Sequence, residues 1–379
     1  MTSTSPSYDQ KVLYQLSKCS ELVTGLPCNP LKPREDLEKQ LYQKIRVALG
    51  NYKSPDKLGP WTIAWGPIVL VVGNQADNSM YVARSEDDPS RYVVAIAGTN
   101  PISLFDWLVN DLYVKQMISW KKVMGETKGS TEASETASIA EGTKIGLVNL
   151  LGAKPSGDHP QAGNTLVTFL LGLQKPIKLI TTGHSKGGAL SPTLALWLKD
   201  NQSTWDPNGQ SQISSMPTAG PTAGNSAFAA YSDKTLPTVT RFANSLDIVP
   251  HAWNQDQLEK IRQLYDPPIP TKNDPMVKQF VDCAKKAAAQ GGGDYTQLQS
   301  NPLWRIEGKI NTDIIIPGPP PTTTFANFSA QALCQHTGAY DDYFSIPGVD
   351  IRPPYMQTDN QFCTKYTPIL FPAPCVSVK

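Results

Sequence analysis

The chain has almost no net charge, no long apolar run and very few histidines. Each shortage removes a class of function. Thirty-four basic residues face 33 acidic ones, a formal net charge of +1 over 379 residues. So even a balance gives no electrostatic reason to expect nucleic acid or an anionic membrane surface as the main partner. No stretch reaches the roughly 20 apolar residues of a membrane helix, and the nearest, 61–73, is interrupted by Pro67. The opening MTSTSPSYDQ lacks the basic and apolar segments of a secretory leader, which leaves export or retention open. Six cysteines match no zinc-ligand spacing, and no CxxC occurs. Their even number permits three disulfides and equally permits six reduced thiols. No GxGxxG or phosphate-binding loop is present, so neither a metal nor a cofactor is expected.

What is present points to an ordered α/β enzyme. Hydrophobic residues make up 40% of the chain, enough to bury a core without help from metal or disulfides. Proline is abundant, 33 of 379, about 9% against the usual ~5%, so loops should be many and stiff. Residues 1–58 read as an N-terminal helical segment. In its second helix Leu37, Leu41, Ile45 and Leu49 recur every four residues, one apolar face. Three runs rich in Val, Ile and Tyr follow, 68–72, 80–83 and 92–97, separated by GNQADN and SEDDPS. They predict a strand meander.

Downstream, 177–181 and 238–243 read as strands and 165–173 and 187–199 as helices, an alternation that predicts a central, mostly parallel sheet flanked by helices. Residues 254–320 look like an insertion with two helices and a strand at 303–310. It is too short to bury a core of its own, and the whole chain reads as a single domain.

The informative motif is Gly183-His184-Ser185-Lys186-Gly187. It lies between a predicted strand and a predicted helix, the context in which G-x-S-x-G carries meaning. A nucleophile there sits on a sharp turn above the sheet edge. The flanking glycines let strand and helix approach, and the helix N-terminus aims backbone N–H groups at a developing oxyanion. A glycine-rich helix start without chemistry is the plainer reading.

Three segments together resemble the fungal-type (class 3) triacylglycerol lipases, in a bacterial-like variety. They are YVVAIAGTN with DWLVNDL, the GHSKGG elbow, and RFANSLDIVP followed by QHTGAYDDY. They run in the family's order from about residue 60 to 345. Ala97 stands where the family often has Arg, and the Asp247-to-His336 interval is long. The resemblance implies an α/β-hydrolase fold, with a lid helix and an insertion before the catalytic histidine, and activity on a lipid or other ester, at an oil–water interface where the substrate is emulsified.

An activated serine needs a base, and the base needs an orienting carboxylate. In α/β-hydrolases the chain order is Ser, Asp/Glu, His. Four histidines make the search short. His159 precedes the serine in what reads as a surface loop, and His184 adjoins it and should point away, as a packing or hydrogen-bonding residue. His336, on a separate late segment, suits the base, with His251 as the alternative. Asp247 ends a predicted strand at the carboxyl edge of the sheet, where ligands bind; a turn aspartate before Pro250 is the plain alternative. The Lys186 backbone N–H is one oxyanion donor. The resemblance implies Thr99 as the second, with Asp111 or Asp106 holding its hydroxyl. Residues 102–120 are the lid candidate, with Leu104, Phe105, Trp107 and Leu108 as the apolar contacts. The same apolar pattern fits a helix buried on both sides. The readings carried forward are a triacylglycerol lipase; an esterase, feruloyl esterase or phospholipase on the same fold; and a catalytically dead hydrolase fold used for binding.

Overall fold

The computed structural model describes residues 5–27, 33–72, 75–99, 114–125, 133, 135–299, 303–317 and 322–354. Seven strands fall in these residues: β1 (Trp61–Val72), β2 (Gln75–Ser85), β3 (Arg91–Ile96), β4 (Met117–Ser119), β5 (Ser138–Ala140), β6 (Lys178–His184) and β7 (Gln212–Thr218). Five of them form one sheet in the order β1-β2-β3-β6-β7, and β4 pairs with β5. The sheet is mixed rather than mostly parallel. β1–β2 and β2–β3 are antiparallel, and β3–β6 and β6–β7 are parallel. The cause is connection length. Only 86–90 separate β2 from β3, too few residues for the crossover that parallel neighbours require. The helix Lys186–Asp200 supplies that crossover between β6 and β7.

Side chains alternate across the middle strands, and both faces are covered. Met80 and Val82 with Tyr92, Val94 and Ile96 face one core. Tyr81 and Ala83 with Val93 and Ala95 face the other. This is the period-2 pattern of a sheet buried on two sides. The first core is closed by Leu147 and Leu150 of the helix Glu141–Gly152 and by Leu190, Leu194 and Leu198 of Lys186–Asp200. The second is closed by the N-terminal helices Tyr8–Ser20 and Pro33–Asn51. The spaced Leu37, Leu41, Ile45 and Leu49 are all buried there.

Three expected elements differ. Residues 238–243 do not form a regular strand: only Val239 and Phe242 make bridges, parallel to Ser215 and Thr218. Pro217 of β7 accepts from the Phe242 N–H but has no N–H to return, so the ladder stays sparse. Residues 303–310 make a single bridge, Ile306 to Asn244, and Gly308 then turns its N–H to the Ser245 hydroxyl. At the described end of 102–120, Met117–Ser119 pairs with β5, and only Trp120 is helical, opening the helix Trp120–Met124. The helical apolar spacing in the sequence, Ile102, Phe105, Val109 and Leu112, stops short of this stretch.

The segment 254–299 builds a third core. Leu258, Ile261, Tyr265, Val277, Phe280 and Val281 pack with Ile248–Val249 and with Phe325 and Phe328. Asn201 and Asn327, which open the N-glycosylation-type sequences NQS and NFS, are buried and hydrogen-bonded, Asn201 to the Trp197 carbonyl and Asn327 to the Ile316 carbonyl. Cys19 is free and buried, whereas Cys283 and Cys334 are each disulfide-bonded. Cys28, Cys363 and Cys375 lie outside the described residues. No helix among the described residues is long and apolar enough to cross a membrane.

Candidate active site

β6 ends at His184, and the next helix starts at Lys186. Ser185 alone makes the turn, at φ 58°, ψ −123°. A non-glycine residue with positive φ is uncommon and costs energy that the surroundings must supply. The glycines explain how the turn closes. A Cβ on Gly187 would lie 2.2 Å from the Ile96 carbonyl oxygen, and one on Gly183 would lie 2.5 Å from that of Gly187. Strand and helix therefore approach at distances that no side chain permits.

The structure brings Ser185, His336 and Asp247 together. The Ser185 hydroxyl is 2.9 Å from His336 Nε2. His336 Nδ1 is 2.9 and 3.1 Å from the two oxygens of Asp247. A carboxylate only accepts, so Nδ1 carries the proton and donates to Asp247; Nε2 is left to accept from the serine hydroxyl. All three side chains are buried. They come from three places: the turn after β6, the loop after the Phe242 bridge, and the last residue of the helix Thr322–His336.

The buried Asp247 is held from two further sides. The Val249 N–H donates to Oδ1 at 3.0 Å, and the Tyr340 hydroxyl donates to Oδ2 at 3.0 Å. Tyr340 in turn accepts from the Asn244 N–H at 2.9 Å. Burial, and secondarily the Asp247 charge, hold the Tyr340 phenol well above its usual range, so the hydroxyl stays a donor. Sequence reasoning gave Tyr340 no role. The signal was its place four residues after His336, across one short turn.

The other histidines are placed apart from the Ser185–His336–Asp247 cluster or behind it. His251 Nδ1 is 3.2 Å from the Gln257 carbonyl, and its ring packs against Trp304 with centroids 4.6 Å apart, tilted by 35°. It does not meet Ser185. Burial lowers its pKa to about 4. His184 is buried, with Nδ1 3.1 Å from the Thr218 hydroxyl. It packs as well as hydrogen-bonds, as expected of it: its ring lies 4.9 Å from that of His336 and edge-on to Tyr14 and Tyr340. Burial, then His336 and Lys18, push its pKa well below the usual value. His159 is half-buried against Tyr42.

Thr99 follows β3 beside the elbow. Its Oγ1 is buried and has no hydrogen-bond partner among the described residues. The Lys186 N–H opens the elbow helix, and its side-chain ammonium pairs with Asp77 at 2.7 Å. Leu104, Phe105, Trp107 and Leu108, with Asp106 and Asp111, lie outside the described residues. A small apolar cavity of ≈ 20 Å³ adjoins Lys186, walled by Val114, Ala140, Leu190, Pro221 and Trp253.

Comparison with known proteins follows the same lines. The model of the family "Lipase (class 3)" matches residues 93–257. The crystal structure of M37 lipase superposes with a TM-score of 0.75 at 33% identity, over 89% of this chain and 92% of that one. Lipase II from Rhizopus niveus gives a TM-score of 0.39 at 18% identity, over 67% of this chain and 78% of its own. Rhizomucor miehei triacylglyceride lipase gives 0.43 at 19%, over 66% and 77%. No curated protein matches the chain. The chain belongs to the class 3 lipases. It is accordingly a serine carboxylic-ester hydrolase built on an α/β-hydrolase fold.

Proposed function

We propose that Ser185 is the nucleophile, His336 the base and Asp247 its orienter, and that the substrate is an acylglycerol. The carrying observation is the unbroken hydrogen-bond series from the Ser185 hydroxyl through His336 to Asp247. A hydroxyl is a poor nucleophile until a base removes its proton in the attack. As Ser185 Oγ bonds to the ester carbonyl carbon, its proton passes to His336 Nε2. The imidazolium so formed is stabilised by Asp247 through Nδ1–H.

The negative charge arrives on the former carbonyl oxygen. The N–H of Lys186 and the hydroxyl and N–H of Thr99 are its donors in this reading, fixed before reaction and so costing no reorganisation. His336 then protonates the departing alcohol. Water repeats the sequence on the acyl-enzyme and releases the acid. Esterase and phospholipase activity would use the same residues, and a dead binding module would have no use for so complete a series.

Two measurements test the reading. Ser185→Ala should abolish turnover and labelling by a fluorophosphonate. Rates on p-nitrophenyl esters from acetate to palmitate, and on emulsified triacylglycerol, should favour the glycerol ester of a medium or long acid. A Ser185→Ala variant that still hydrolyses esters removes the nucleophile assignment, and a maximum at acetate removes the acylglycerol.

A further inference from the structure

The residue after Ser185 carries a side chain whose position the proposed chemistry does not use. Lys186 stands in the first turn of its helix, where the helix dipole opposes a cation. Its ammonium is 2.7 Å from the Asp77 carboxylate, and both side chains are mostly buried, with 19% and 24% of their surface exposed. Asp77 belongs to β2, a strand two places away from β6 in the sheet. Between them lies β3, and β3 leads into Thr99.

The register shows what the pair spans. Met80 stands opposite Ile96, and the Ala97 N–H donates to the Ser79 carbonyl at 2.9 Å. Continuing that antiparallel register brings Asp77 level with Thr99. On the other side Ile96 is paired with Gly183, and Gly98 touches the elbow directly. A Cβ on Gly98 would lie 2.9 Å from the His184 carbonyl oxygen and 3.0 Å from the Ser185 Cβ. The two donors assigned to the oxyanion thus sit on separate elements, one ending a strand and one starting a helix. The Asp77–Lys186 contact bridges over the first to the second.

We propose that the Lys186–Asp77 ion pair is a clasp that fixes the Thr99 strand end against the Lys186 N–H, so that it sets the geometry of the oxyanion site. The proposal rests on the oxyanion assignment above. Lys186 and Asp77 are positioning residues here. Their side chains touch neither the nucleophile nor the base, and partly exposed ion pairs contribute little to stability by themselves. What a clasp changes is the alignment of donors that act only when charge develops. Its loss should therefore lower kcat and leave KM alone.

The experiment uses the full chain with a soluble p-nitrophenyl ester and with an alkylboronic acid, whose serine adduct is tetrahedral. Lys186→Met and Asp77→Asn should each lower kcat by roughly tenfold, with KM changed less than about twofold. Boronic acid affinity should fall by the same factor as kcat/KM. The double variant should be no worse than either single one, because the two residues act as one unit. Lys186→Arg should recover most of the loss. If Lys186→Met does not fold, Asp77→Asn and Lys186→Arg carry the same comparison. Unchanged kcat, additive losses, or a rise in KM alone would overturn the clasp. Ser185→Ala run beside them separates the two ideas. If it is dead while Lys186→Met turns over at the parent rate, only the clasp fails; if it is active, the oxyanion assignment fails and takes the clasp with it.

Discussion

Tyr340→Phe removes one oxygen atom and leaves the ring, its packing and the backbone in place. That oxygen has two duties in the structure. It donates to Asp247 Oδ2 at 3.0 Å and accepts from the Asn244 N–H at 2.9 Å. A hydrogen bond to a charged group contributes about 1.5–3 kcal/mol, and an orphaned buried donor costs about 1–3 kcal/mol. Asp247 and Asn244 are fully buried, so water does not replace the lost partner without reorganisation. The expected loss of stability is on the order of 3 kcal/mol, measured by urea unfolding. Turnover should fall less than for removal of the carboxylate itself. Asp247 keeps the Val249 N–H and His336, so its position loosens while its charge stays. A drop in kcat of roughly tenfold is expected for Tyr340→Phe, against several orders of magnitude for Asp247→Ala. The two substitutions should be strongly non-additive, since the tyrosine acts only through the aspartate. A Tyr340→Phe enzyme within about 0.5 kcal/mol of the parent, with full kcat, would refute the reasoning.

Two further outcomes follow from the same geometry. Gly188→Ala should fail to fold or lose more than about 3 kcal/mol, because its Cβ would meet the Thr218 carbonyl oxygen at 2.2 Å; a stable, active variant in a thermal melt contradicts the packing. His251→Gln should retain most turnover and blunt acid sensitivity. Burial lowers the folded-state pKa of His251 from 6.5 to about 4, so below about pH 6.5 the unfolded chain takes up a proton that the folded chain refuses. The stability at stake is fully present above that pH and lost as pH falls toward 4, on the order of 3 kcal/mol. Urea midpoints that fall equally between pH 6.5 and 4 in parent and variant would show that His251 is not the group responsible.

The elbow was legible because its chemistry demands residue types at fixed spacing. Only glycine tolerates the approach at Gly183 and Gly187, and only a short connection between strand and helix gives Ser185 its backbone angles. The meander was legible from alternation, as Met80, Tyr81, Val82 and Ala83 divide between two cores. Its two antiparallel pairings, β1–β2 and β2–β3, are those a meander implies. Two features were not legible. The segment 238–243 has β-branched composition, yet its neighbour presents Pro217, so composition overstated the ladder. Tyr340 contributes through contacts between segments far apart in the chain, and no local pattern records them.

The interval between Asp247 and His336 is a departure from what the motifs imply, and the third core explains how the two still meet. A flexible loop joining two members of the proposed triad would make their meeting entropically costly, though the cost grows only slowly with length. Precision is the harder requirement, since a base misplaced by about 1 Å loses roughly two orders of magnitude in rate. The intervening residues meet it by packing. Ile248 and Val249, directly after Asp247, share one apolar cluster with Phe325, Phe328 and Ala332 of the helix that ends at His336. Leu258, Tyr265, Val277 and Phe280 fill the space between them. Tyr265 also donates to the Leu246 carbonyl, one residue before the aspartate. The insertion is thus a brace: it ties the loop that carries the carboxylate to the helix that carries the imidazole. A long interval in sequence becomes a fixed distance of 2.9 Å between Nδ1 and Oδ2.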